Sequence, residues 1–226
     1  MSGMWTVKVV GLGVVALSLS VELLGWLIHR LRPKRARTEV LFFPSEMACL
    51  EHIFAPSSPQ SCCCPLPHGV ETSFSRLVRC ILSASSSLDV CVFAFSNIDL
   101  CKAVLTLRCR GVTIRVLCDK DYAAIHGSQI GVLRRAGKRN RSIYFLNHHK
   151  FALVDNRLLI TGSLNWTMTA VQSNKENVIV TEDPDLVLPF LKEFQRLWLH
   201  SDPAQYLHLS DPKPAEKPTT PSTDKP

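Results

Sequence analysis

Between residues 88 and 199 the apolar pattern of the chain changes period repeatedly, from runs that a buried strand can use to stretches spaced for one face of a helix. A buried-strand run over 88–95 is followed by a helical stretch over 98–110, closed by Gly111, and by a second strand over 112–118. A helix over 128–136, closed by Gly137, comes next. Residues 150–154 and 157–161 read as a hairpin turning at Asp155-Asn156. A short helix over about 165–172, a strand over 177–181 and an amphipathic helix over 184–199, opened by Pro184, complete the series. Strands interleaved with helices predict an α/β fold on a mixed β-sheet flanked by helices. No internal repeat is visible.

The two ends differ from this body. Residues 9–28 form an apolar run of about the twenty residues that a bilayer-spanning helix needs, with Glu22 its single charge. The run is too long for the core of a secretory leader, and its basic cluster (Arg30, Arg32, Lys34, Arg35, Arg37) follows it instead of preceding it. An N-terminal transmembrane helix is therefore expected over a cleaved leader; a buried or interfacial helix is the competing reading. A positive flank on the C-terminal side leaves the body of the protein in the cytosol. Residues 211–226 hold five prolines and no large apolar residue, so the segment 210–226 is expected to be a disordered tail. The expected organisation is an anchor and basic flank over 1–37, a folded domain over 38–209 and the tail.

Charge and cysteine use narrow the class. Of 26 Lys and Arg residues, six lie in residues 1–37 against Glu22 alone, so the net charge of +7 is concentrated there. Any nucleic-acid surface on the body must be a local patch. Nine cysteines, several inside apolar runs, form no secreted disulfide framework and favour a reducing compartment.

The chemistry-bearing segment runs from His148 to Asn165 and fits H-x-K-x4-D-x6-G-S-x-N at every fixed position. On a strand of period two, His148 and Lys150 project from one face, so an imidazole and an ammonium can converge on one anion. Attack on a phosphodiester needs both: a neutral ring nitrogen as nucleophile and a fixed cation for the charge that develops on phosphoryl oxygens. Gly162-Ser163 at the end of the next strand allows close backbone approach and offers a hydroxyl, and Asn165 adds an amide donor. Asp155 is suited to hold and polarise a neighbouring group. No separate acidic cluster suggests two-metal catalysis, so the expected phosphoryl chemistry uses no catalytic metal.

This string resembles the signature of the phospholipase D superfamily. Members of that superfamily bring two such motifs face to face, one His attacking and the other protonating the leaving group. A chain with one copy is implied to form a symmetric homodimer with its His148 side chains at the two-fold axis. The flanking segments 41–45, 88–96, 127–131, 160–167 and 176–178 are similar to the single-motif mitochondrial branch, the Zucchini family of cardiolipin hydrolases. That resemblance, extending to about residue 206, implies a single-pass protein of the mitochondrial outer membrane with its catalytic domain facing the cytosol. Two activities are implied: endonuclease cleavage of single-stranded RNA in piRNA biogenesis, and hydrolysis of cardiolipin to phosphatidic acid. A membrane-tethered, phosphate-binding scaffold without turnover is the third reading. The resemblance also sets Glu176 near the phosphate site, where an exposed loop acid is the alternative.

Cys49, Cys62, Cys64 and His68 give C-x12-C-x-C-x3-H, a sufficient ligand set for tetrahedral structural zinc, although clustered cytosolic cysteines are also found as free thiols. The family resemblance implies a CCCH site at these positions, with Cys63 as a spare thiol. One stretch departs from the family. Residues 138–147 are short and basic, with Arg134, Arg135, Lys138, Arg139 and Arg141 close together ahead of Tyr144 and Phe145. Cations beside aromatics suit single-stranded nucleic acid; cations favoured at a helix C-terminus are the plainer reading. Asp119 is expected to cap the next helix, and Phe194, Trp198 and Trp166 to pack in the core.

Overall fold

The computed structural model describes residues 22–27, 36–54, 62–136, 141–145 and 147–200, the stretch 141–145 by its backbone. The chain divides into two units, 1–36 and 37–226. Of the first, the helical stretch α1 (22–27) is described. Among the described residues no helix is long and apolar enough to cross a membrane; most of the anchor expected over 9–28, and all of the tail over 210–226, lie outside them.

The second unit is built on seven strands: β1 (Thr38–Phe43), β2 (Ser87–Val92), β3 (Thr113–Asp119), β4 (Arg141–Phe145), β5 (Lys150–Val154), β6 (Leu158–Gly162) and β7 (Glu176–Thr181). They form one mixed sheet in the order β1-β7-β6-β5-β2-β3-β4. β2, β3 and β4 are parallel; β5, β6, β7 and β1 join them by antiparallel pairing. The helices are α2 (Glu51–Phe54), α3 (Ser73–Leu82), α4 (Ile98–Cys109), α5 (Lys120–Ala124), α6 (Ile130–Arg135), α7 (Met168–Gln172) and α8 (Pro184–His200).

Side-chain alternation along the strands divides the core. Leu88, Val90, Ala152, Val154, Ile160 and Val180 face one side, where Leu77 and Ile81 of α3 and Leu100 and Leu107 of α4 pack against them. Cys91, Phe151, Leu153 and Leu159 face the other, which α8 covers with Val187 and Phe194. On that side the buried carboxylate of Asp89 accepts from Arg115 Nε at 2.6 Å, and the guanidinium lies 4.9 Å from the Phe194 ring centre. Phe194 is buried and Trp198 packs beside it, as the apolar stripe predicts. Local signals explain the helix ends. Thr72 and Ser75 form a reciprocal capping box on α3, Asn97 caps α4, and Gly111 supplies the positive φ that ends α4.

Some elements go beyond the sequence reading. β1, α2 and α3 are present where no element was expected, and β4 forms inside the basic segment 138–147. β4 takes only Arg141 of the segment's cations, and it pairs with β3 at the outer end of the sheet, with Cys118 opposite Tyr144.

Candidate active site

Strand directions decide which residues meet. The C-terminal ends of β1, β2, β3 and β6 and the N-terminal ends of β5 and β7 all lie along one edge of the sheet: Val92 pairs with Lys150, Gly162 with Val178, and Phe43 with Glu176. His148, Lys150, Ser163 and Glu176, separated by up to 28 positions in sequence, are therefore brought to one edge.

His148 is exposed and Lys150 half-buried. The Lys150 ammonium lies 3.3 Å from His148 Nδ1 and donates to the His148 carbonyl at 2.8 Å. Burial lowers the Lys150 pKa from its ordinary value, against the opposing pull of the Glu176 carboxylate. The ring of Phe93, just past β2, is 4.5 Å from the His148 ring centre to centre, and Lys150 Nζ is 5.3 Å from its centre. An ammonium that donates to Nδ1 goes with the tautomer whose ring proton is on Nε2.

Ser163 donates to Glu176 and accepts from the Asn177 amide at 3.1 Å, while Asn174 donates to the second Glu176 oxygen at 3.1 Å. Trp166, buried as expected, ties this loop to the end of β2: its amide donates to Ala94, and its carbonyl accepts from Ser96 and Asn97. Asn165 has an amide oxygen that is buried without a partner. A donor from a bound molecule, or a half-turn that presents the amide NH2 to a phosphate, would relieve it.

Asp155 is a correction. It belongs to the motif, yet it occupies the β5–β6 turn at the opposite edge of the sheet, about 17 Å along the strand from Lys150 at a rise of roughly 3.3 Å per residue. There its carboxylate accepts from the amides of Ser85, Ser86 and Ser87 and the hydroxyls of Ser85 and Ser86, at 2.8–3.2 Å. Burial alone would raise its pKa, but these donors hold it far below the usual carboxylate range. Asp155 and Asn156 adopt positive φ of 51° and 55°, as a tight hairpin turn demands. The residue is a clamp for the hairpin, away from the reacting edge.

The sequence reading passed over Asn147. It is buried, donates from Nδ2 to the Val92 carbonyl at 3.2 Å, accepts on Oδ1 from the His149 amide at 3.0 Å, and donates its own amide to Asp119 at 3.1 Å. The peptide that carries His148 is thus pinned to β2 on one side and β3 on the other. Asp119 also caps α5, as expected; burial pushes its pKa up, but the amides of Asn147, Tyr122 and Asp121 outweigh that and lower it. An Asn directly before an apparent catalytic pair was the available signal.

Outside the motif, Cys49, Cys62 and Cys64 have sulfur atoms within 4.8 Å of one another. His68 Nε2 is 3.8 Å from Cys64 Sγ, and the Cys49 amide donates to the Pro67 carbonyl at 2.8 Å. Three thiols at this separation can hold one metal ion, and the imidazole is within reach of a fourth position. Cys63 is exposed.

Fold and reacting edge define a phospholipase D-like phosphodiester hydrolase. The family model described as "Cardiolipin synthase, PLD-like domain" matches residues 77–198. NucT from Helicobacter pylori is similar in fold, with a TM-score of 0.57 at 19% identity over 74% of this chain and 98% of its own. The mitochondrial cardiolipin hydrolase of Danio rerio is 57% identical over 201 residues, 87% of this chain and 88% of that protein. The human mitochondrial cardiolipin hydrolase is 48% identical over 210 residues, 88% and 82% of the two chains. The chain belongs to the mitochondrial cardiolipin hydrolase family of the phospholipase D superfamily.

Proposed function

We propose that the chain acts as a homodimer through a phosphohistidine, cleaving single-stranded RNA in piRNA biogenesis at the cytosolic face of the mitochondrial outer membrane. The observation that carries the mechanism is the convergence of His148, Lys150, Ser163 and Glu176 on one edge, in a chain with one copy of the motif where attack and leaving-group protonation need two imidazoles. In the reaction, His148 Nε2 forms a bond to phosphorus as the bond from phosphorus to the leaving oxygen breaks. The second copy's imidazolium gives that oxygen its proton. Water, deprotonated by the same imidazole, then displaces the histidine, and both rings return to their starting states. Lys150 must leave Nδ1 for the phosphoryl oxygens, which both neutralises developing charge and lets the ring take up the attacking tautomer. Ser163 and Asn165 offer further donors to the phosphate. The nucleophile and the cation both come from side chains, so no catalytic metal is needed.

Cardiolipin is the second reading, favoured by the names of the relatives and by the apolar run over 9–28, which would hold the site beside a bilayer as a single-pass anchor. Structural zinc on Cys49, Cys62, Cys64 and His68 would cross-link the segment 62–68 to the start of α2 and take no part in turnover. Metal analysis of the purified chain, expected to give about one zinc per chain and less in Cys64→Ser, tests it.

The function is tested with the full chain in nanodiscs, an end-labelled single-stranded RNA and a chelator, beside His148→Asn. Cleavage lost in the variant, with an acid-labile phosphoryl adduct on the wild type, is expected. Cleavage that persists in His148→Asn overturns the mechanism. Hydrolysis of cardiolipin vesicles without RNA cleavage moves the substrate to the lipid, and inactivity on both leaves a scaffold.

A further inference from the structure

The reacting edge carries an aromatic feature that the phosphoryl chemistry does not use. Tyr122, in α5, lies with its ring centre 4.0 Å from that of Phe93, which in turn is 4.5 Å from that of His148. The three rings run as a short row from the nucleophile outward. Tyr122 remains 40% exposed at the outer end.

The row is built, and two independent restraints place it. Asp119 accepts from the amides of Asp121 and Tyr122 at 3.0 and 3.2 Å, which fixes the first turn of α5. The parallel pairing of β2 with β3 sets Val92 opposite Cys118 and so brings Phe93 beside that turn. An exposed ring held this way, on an apolar partner, loses little freedom when something flat is laid on it.

We propose that Tyr122, backed by Phe93, is a stacking platform for the nucleobase next to the scissile phosphate; this rests on the RNA reading given above. A phosphate on His148 and Lys150 puts the base of the same or the adjoining nucleotide within reach of a ring two contacts away. Base stacking on an aromatic ring is worth about 1–3 kcal/mol and tolerates any base, since every base has a π-face. The platform therefore contributes affinity for a single strand without sequence preference. A duplex, whose bases are already stacked on each other, cannot use it. The acyl chain of a lipid gains from a ring only what any apolar surface offers, so the platform also separates the two substrate classes.

The test uses the full chain in nanodiscs and two end-labelled RNA strands of equal length, one with normal bases and one abasic throughout. Wild type is expected to cut the normal strand with about tenfold higher kcat/KM than the abasic one, mainly through KM, as 1.4 kcal/mol of stacking requires. In Tyr122→Ala this ratio should fall to about one, and in Tyr122→Phe, which keeps the ring, it should be restored. A ratio unchanged in Tyr122→Ala overturns the platform alone. An equal loss on both strands also overturns it, since that result marks a structural role near His148. A wild type that cuts neither strand but hydrolyses cardiolipin removes the RNA reading, and the platform with it.

Discussion

A Cβ atom added to Gly162 would lie 2.0 Å from the carbonyl oxygen of Asn177, a distance no real contact tolerates. The reason is the close approach of β6 and β7 where the Ser163 amide donates to that same carbonyl at 3.0 Å. Gly162→Ala should therefore force the two strands apart, costing about 3 kcal/mol and separating Ser163 from Glu176. The expected outcome is a lowered midpoint in urea together with loss of turnover on any substrate; a variant with the wild-type midpoint would show that β7 yields freely.

In the proposed mechanism Lys150 should set an alkaline limit. There only its charged form would stabilise phosphoryl oxygens, and burial lowers its pKa, so activity should fall as pH rises through a value below the ordinary lysine value of 10.5. Glu176 acts in the opposite direction. Glu176→Gln should move the alkaline limb of kcat/KM further down, and the residual activity of Lys150→Arg should persist to higher pH. A limb in the same position in all three proteins would assign it to another group.

Asp155→Ala should destabilise the fold and spare the chemistry. Removing the acceptor of five donors costs about 2 kcal/mol, with kcat unchanged at temperatures where the variant is folded. The carboxylate is depressed in the folded state, so its contribution is present in full above the ordinary aspartate pKa near 4 and declines as pH falls below it. Urea midpoints of wild type and variant should accordingly converge in acid and stay apart at pH 7.

Asn147→Ala leaves the Val92 carbonyl and the His149 amide without the side chain that joins them. A loss of about 2 kcal/mol is expected, together with a kcat roughly tenfold lower at nearly constant KM, because the peptide bearing His148 is no longer held between β2 and β3. Steady-state kinetics well below the melting temperature separates the two effects, and a change confined to stability would reduce Asn147 to packing.

Much of this molecule follows from local pattern. The hairpin at Asp155-Asn156, the capping Asp119 and the apolar stripe of α8 depend on neighbours in sequence, and each lies where that pattern puts it. Even the separation of Asp155 from Lys150 was legible in the strand rise, although membership of the motif drew it toward the site. α3 was legible too, since Phe74, Leu77, Val78 and Ile81 recur at helical spacing and all are buried.

What remained depends on pairing between distant segments. Glu176 reaches Ser163 because β7 lies antiparallel to β6. β4 pairs with the edge that β3 offers, and Asn147 is buried because β2 and β3 close around it. Tyr122 meets Phe93, and Phe93 meets His148, through the register of β2 with β3. The sequence alone determined the chemistry available, a histidine two positions ahead of a lysine at the start of a strand, because that needs only neighbours in the chain. Tertiary structure decided which other residues share their edge, because strand order and direction arise from long-range hydrogen bonding and burial that no local window contains.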